Sequence, residues 1–240
     1  MGVDLWIIGN HSIPFKGRKI ENKSKVIDLL NSLQLEKSEF LIETRKKWFT
    51  PDAEYYTSFM GEKYYEKYAK EEKEQLEKYL QLQSWTVYEE EESELDSNQY
   101  FFEGPYGLEV DINKYFSWIS IWIGRYRHWF YSSENYDIQW REKWRLIVYK
   151  ITNILGGNYV MYFPDNMSDL DEYLPSNYFP KETNSRPQYE VNTLEQLAEI
   201  ISKKYSKPLS LSEADEIFEK RNIDPFVIDR FEDLDKTLKI

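Results

Sequence analysis

The chain has 240 residues, 41% of them hydrophobic, which suffices for a core, and no cysteine, which excludes disulfides, thiolate nucleophiles and Cys-ligated zinc. Its 31 Lys and Arg against 43 Asp and Glu leave a net charge of −12, which repels a phosphate backbone and disfavours nucleic acid as a partner. No apolar run approaches the roughly 20 residues that span a bilayer and Asp4 interrupts any signal-like start, so no membrane is expected and the cytoplasm is the expected compartment.

In chain order, Val3 to Ile8 has the pattern of a buried strand, closed by the turn residues Gly9 to Ser12. His11 is expected on the surface of that turn, without a role. Val26, Ile27, Leu30 and Leu33 recur at helical spacing behind Ser24, which is placed to cap a helix from about 24 to 33. Phe40, Leu41, Thr44 and Trp48 continue the period, and Thr50-Pro51 restarts the chain as a further helix that Gly61 ends. Tyr64, Tyr65, Tyr68, Leu76, Tyr79 and Leu80 then mark one face of a long helix whose other face alternates Glu and Lys at pairing distance, so 24–83 is expected to be helical. Trp85 to Tyr88 is a short strand. Glu89, Glu90, Glu91 and Glu92 open an acidic run, either an exposed loop or an attractor for a basic partner.

The stretch 104–166 carries the sheet. Leu108, Val110 and Ile112 alternate with Glu109 and Asp111, a strand with one apolar and one acidic face, and Asn113-Lys114 is placed for a two-residue hairpin turn. From 115 to 123 the return strand is apolar on both faces, with Ile119, Ile121 and Ile123 on one and Phe116, Trp118 and Trp122 on the other, as a strand inside a covered sheet requires. Ile138, Trp140, Trp144, Ile147, Ile151 and Ile154 form one stripe of a helix from which Arg141, Glu142 and Arg145 fall away. Gly156-Gly157 ends it, and Tyr159 to Phe163 follows as a buried strand. Strand, helix and strand imply a crossover in which 115–123 and 159–163 run parallel.

Residues 167–190 are rich in Asp, Asn, Ser and Pro, the composition of a long loop. From 193 to 240 helices are expected: Thr193 with Gln196 and Ser210 with Glu213 are capping boxes, and Lys207-Pro208 joins the two helices with the outline of a helix-turn-helix, too acidic to read DNA. Phe226, Val227, Ile228 and Phe231 are expected to dock a terminal tail on the body. The fold class is therefore α+β, a central mixed sheet with a strand-helix-strand crossover flanked by N-terminal and C-terminal helices, in one domain over 1–240.

The crossover brings the ends of its two strands to one edge, where Arg125, Arg127 and His128 would face Asp165 and Asn166. That set would bind an anion or, more simply, form an Arg–Asp pair that anchors a loop. No Gly-rich phosphate loop, nucleophile elbow or paired histidines are present, so no cofactor or metal is expected and catalysis is disfavoured without being excluded.

At Leu155-Gly156-Gly157-Asn158-Tyr159-Val160-Met161-Tyr162-Phe163-Pro164-Asp165, behind an Arg-bearing amphipathic helix, the chain resembles the immunity-type proteins found beside bacterial polymorphic toxins. The resemblance covers about a quarter of the chain and implies a small acidic α+β protein of the bacterial cytoplasm that neutralises a toxin domain without catalysis. Independently, 17% aromatic residues with a strong negative charge fit a binder of a basic protein. The expected function is an acidic protein-binding protein, such as an immunity protein facing a cationic toxin. The alternatives are a small-ligand binder or enzyme using the cleft of Arg125, Arg127 and Asp165, and a structural part of a bacterial or phage assembly.

Overall fold

Strand β1 (Leu5–Gly9) takes the middle of the sheet because its alternation gives it an apolar side chain for each face. The structure, a computed structural model, describes residues 5–17, 19–48, 61–88, 100–121, 138–164, 191–204, 207–218 and 226–237. Among these, β4 (Thr86–Tyr88), β5 (Tyr100–Glu103), β6 (Glu109–Ile112), β7 (Ser117–Ser120), β8 (Val160–Pro164), β9 (Leu209–Ser210) and β10 (Val227–Asp229) join β1 in one eight-stranded sheet, ordered β4-β5-β6-β7-β1-β8-β10-β9. A separate hairpin pairs β2 (Phe15–Lys16) with β3 (Lys19–Ile20). The helices are α1 (Lys23–Asn31), α2 (Glu39–Trp48), α3 (Glu62–Gln81), α4 (Ile138–Ile154), α5 (Leu194–Lys204), α6 (Leu211–Phe218) and α7 (Glu232–Thr237). The fold is α+β, and no helix among the described residues is long and apolar enough to cross a membrane.

The two faces of the sheet separate by strand parity. Ile7, Val110, Ile112, Ile119, Tyr162 and Val227 point to a core with Val26, Leu30, Leu41, Trp144, Val148 and Ile151 of α1, α2 and α4. Ile8, Met161 and Phe163 point the other way, to Leu194, Leu197 and Ile201 of α5.

The crossover expectation holds in direction. β7 and β8 each pair antiparallel with β1, so they run the same way with β1 between them. The parallel pair that makes the sheet mixed is β9 with β10. That pair also corrects the reading of the C-terminal third as helices: the Lys207-Pro208 connection leads into an edge strand, and the Phe226 tail is a strand between β8 and β9. A helix-turn-helix is therefore absent there. β5 was not expected, because Tyr100-Phe101-Phe102 is too short for alternation to distinguish.

Local chemistry set several boundaries differently. Asn22, not Ser24, caps α1, accepting a 2.9 Å bond from the Lys25 N–H and starting the helix two residues earlier than Ser24 would. The β6–β7 connection is a four-residue loop rather than a two-residue turn. The Asn113 side-chain oxygen accepts from the backbone N–H of both Tyr115 and Phe116 at 2.8 Å, and without a glycine this Asx geometry replaces the tight turn. His11 is half-buried rather than a surface turn residue. Its Nε2 lies 2.8 Å from the Asn113 carbonyl and its Nδ1 accepts from the Ile13 N–H at 3.1 Å, which fixes the neutral tautomer, and burial holds its pKa below the ordinary histidine value. Gly61 is the N-cap of α3; the helix expected from Thr50-Pro51 lies outside the described residues.

Gly156 and Gly157 end α4 as expected, and they also let the β1 exit loop approach. Gly156 has φ +80°, and a Cβ added at Gly157 would sit 2.0 Å from the Asn10 carbonyl oxygen. Asn10 cannot yield freely, since its side chain donates to Asn158 at 2.8 Å and accepts from the Asn158 N–H at 3.0 Å. Gly157→Ala is expected to lower stability by about 2 kcal/mol in urea unfolding; an unchanged midpoint would show that the loop gives way.

Candidate functional site

The sequence-derived site residues Arg125, Arg127, His128, Asp165, Glu89, Glu90, Glu91 and Glu92 all lie outside the described residues, and so does Asn166. Among the described residues, charge concentrates in two other places, one of opposite charges and one of like charges.

In the first, every charge has a partner. Arg141 and Arg145 face away from the tryptophan stripe of α4, yet both are buried. Arg145 meets the C-terminal segment: its Nε and Nη2 donate to Asp229 at 2.5 and 2.8 Å, its Nη1 and Nη2 to Asp233 at 2.6 Å each, and its Nη1 to Glu142 at 3.1 Å. These bonds occupy all five guanidinium N–H groups. Burial opposes the charge, but the bonds to Asp229 and Asp233 outweigh it and hold the guanidinium above its ordinary pKa. Tyr162 closes the set, donating to Asp229 at 3.1 Å. Arg141 makes a bidentate pair with Asp215 of α6 at 2.6 and 2.9 Å. This clasp ties β10, α6 and α7 to α4, and its donors are spent on architecture. Tyr162, which belongs to the 155–165 stretch, thus serves the core.

In the second place like charges are crowded together. β5 and β6 set Glu103 directly opposite Glu109, and Asp111 follows on the same face two residues along. Asp111 has Phe101 across from it on one side and Trp118 on the other. Glu103 is buried, Asp111 and Trp118 are half-buried, and Glu109 is the most exposed. Like charges opposed across strands are destabilising. Burial first, and then the Glu109 charge, push the Asp111 carboxyl from the ordinary 3.8 up to about 7. Glu109 is raised as well, by desolvation and by Glu103, against the pull of Arg45. Among the described residues, no ion pair is formed by Asp111 or Glu109.

No family model matches the chain, and no curated protein or solved structure is similar to it. The site therefore has to be read from its chemistry. Among the described residues no three His, Cys, Asp or Glu side chains are grouped to hold a metal ion. Asp111 and Glu109, partly desolvated and without an ion pair among the described residues, lie beside an indole and suit an organic cation instead. A guanidinium would take two carboxylate oxygens and lie against Trp118. The Glu109 and Asp111 alternation was visible in the sequence as the acidic face of a strand. Their crowding was not, because it depends on Glu103 from β5.

Proposed function

We propose that this chain is a protein-binding protein that captures a cationic partner, with an arginine of that partner seated on Asp111 and Glu109 beside Trp118. The observation that carries the reading is the cost of the site: Asp111 is pushed up to about 7 with no cation among the described residues to offset it. An arriving guanidinium would restore its ionisation and supply the missing counter-charge. The net charge of −12 favours encounter with a basic protein. The resemblance at Leu155 to Asp165 to immunity-type proteins fits the same role, the partner then being a toxin domain. The test is to capture partners from the source organism at low salt and measure association of the identified protein as NaCl rises. Steering charges are screened beyond about 8 Å at 0.15 M, so the on-rate should fall about tenfold or more between 20 and about 300 mM NaCl. A salt-insensitive on-rate would overturn the reading.

A further inference from the structure

Between the connection that follows α1 and the middle of α4 lies a groove of about 480 Å³, a size that suits a few ligand side chains. Among the described residues its lining includes Lys37, Lys143 and Lys150 and no carboxylate, a local inversion on a chain of net charge −12. Glu36 approaches Lys37 at 3.9 Å but is not part of the lining. The floor is apolar, built from half-buried Leu33, Phe40 and Leu146 over buried Ile147. The cations are held at the rim. Lys143 places its ammonium 5.5 Å from the centre of the Phe40 ring, and Lys37 donates to Gln34 at 3.0 Å. Lys143 and Lys150 are two helical turns apart, about 10 Å along α4, with the apolar floor between them.

We propose that this groove takes an acidic peptide segment of a protein partner, with an apolar side chain on the floor and flanking carboxylates at Lys143 and Lys150. Three residues of extended chain span about 10 Å, so carboxylates on either side of an apolar anchor match the two lysines. The recessed floor favours a peptide over an anionic membrane, because a flat bilayer surface meets the lysine tips without filling the apolar centre. The groove uses residues separate from Asp111, Glu109 and Trp118, so the two surfaces stand or fall apart.

The test is fluorescence anisotropy of the full chain with a labelled peptide Asp-Glu-Leu-Phe-Glu-Asp, with Asp-Glu-Ser-Ser-Glu-Asp as the apolar control and phosphatidylglycerol vesicles as a competitor. Saturable binding is expected. It should weaken about tenfold or more in Lys143→Glu with Lys150→Glu, and by a similar factor when the two apolar residues become serine. Both lysines are exposed, so the double variant should keep the wild-type urea midpoint. Absence of saturable binding overturns the proposal. So does binding that ignores the charge reversal or the serine control, and so does binding of the vesicles without the peptide.

Discussion

Arg145→Ala is expected to lower the unfolding free energy by about 3–5 kcal/mol, the largest single effect in the described structure. The reason is what it leaves behind. Asp229 is 2% exposed, and without the guanidinium its carboxylate keeps only the Tyr162 hydroxyl and the Phe231 N–H, which donates at 2.9 Å. Neither donor carries a charge. Lysine should not rescue, since one ammonium cannot reproduce the paired bonds to Asp229 and Asp233. Removing both charges should. Arg145→Met combined with Asp229→Leu is expected to recover most of the loss, because an apolar pair of similar volume needs no counter-ion. Urea unfolding of the wild type, Arg145→Met, Asp229→Leu and the double variant gives a double-mutant cycle, and a coupling energy near zero would mean that the clasp does not hold the C-terminal segment.

Asp111→Asn is expected to act in the opposite direction, stabilising the protein by about 2–3 kcal/mol at pH 8. The raised carboxyl would set an upper bound of about 4 kcal/mol, and solvent at this half-buried position reduces it. Between pH 4 and about 7 the folded protein retains a proton on Asp111 that the unfolded chain, with its ordinary value of 3.8, has released. Stability therefore falls as pH rises through that window, and the advantage of Asn grows with it, vanishing below about pH 4. Unfolding curves from pH 4 to 9 would show the difference. The same carboxyl must lose its proton to pair a cation, so affinity for the cationic partner should strengthen from pH 6 to 8 in the wild type. In Asp111→Asn it should be about tenfold weaker and flat with pH. A substitution that stabilises the fold while weakening binding is the pattern of a site kept at a cost to stability. If Asp111→Asn destabilises at pH 8, the carboxylate is paired and the site is misread.

The helices were legible because their signals are local. The apolar period of α3 and α4 lies within each segment, and the caps at Thr193 and Ser210 lie within four residues of what they bind: the Gln196 N–H donates to Thr193 at 3.2 Å, and Glu213 accepts from the Ser210 N–H at 2.8 Å. The alternation from Leu108 to Ile112 likewise identified β6 and its acidic face. Short strands were legible only in part. β9 has two residues and β10 three, too few for a period, so the sequence alone shows only a helix connection and a tail there.

By itself the sequence determined the α+β class, the places where α4 stops and α5 and α6 start, and the acidic character of the β6 face. Each of these rests on interactions across a few residues. Only the tertiary structure decided the insertion of β1 between β7 and β8, the strand pairing that sets Glu103 against Glu109, and the burial of Arg145. A guanidinium four residues from Arg141 on a polar helix edge looks solvated in one dimension. It is buried because Asp229 and Asp233 arrive from 84 and 88 residues further along the chain, and no local pattern encodes a contact at that separation.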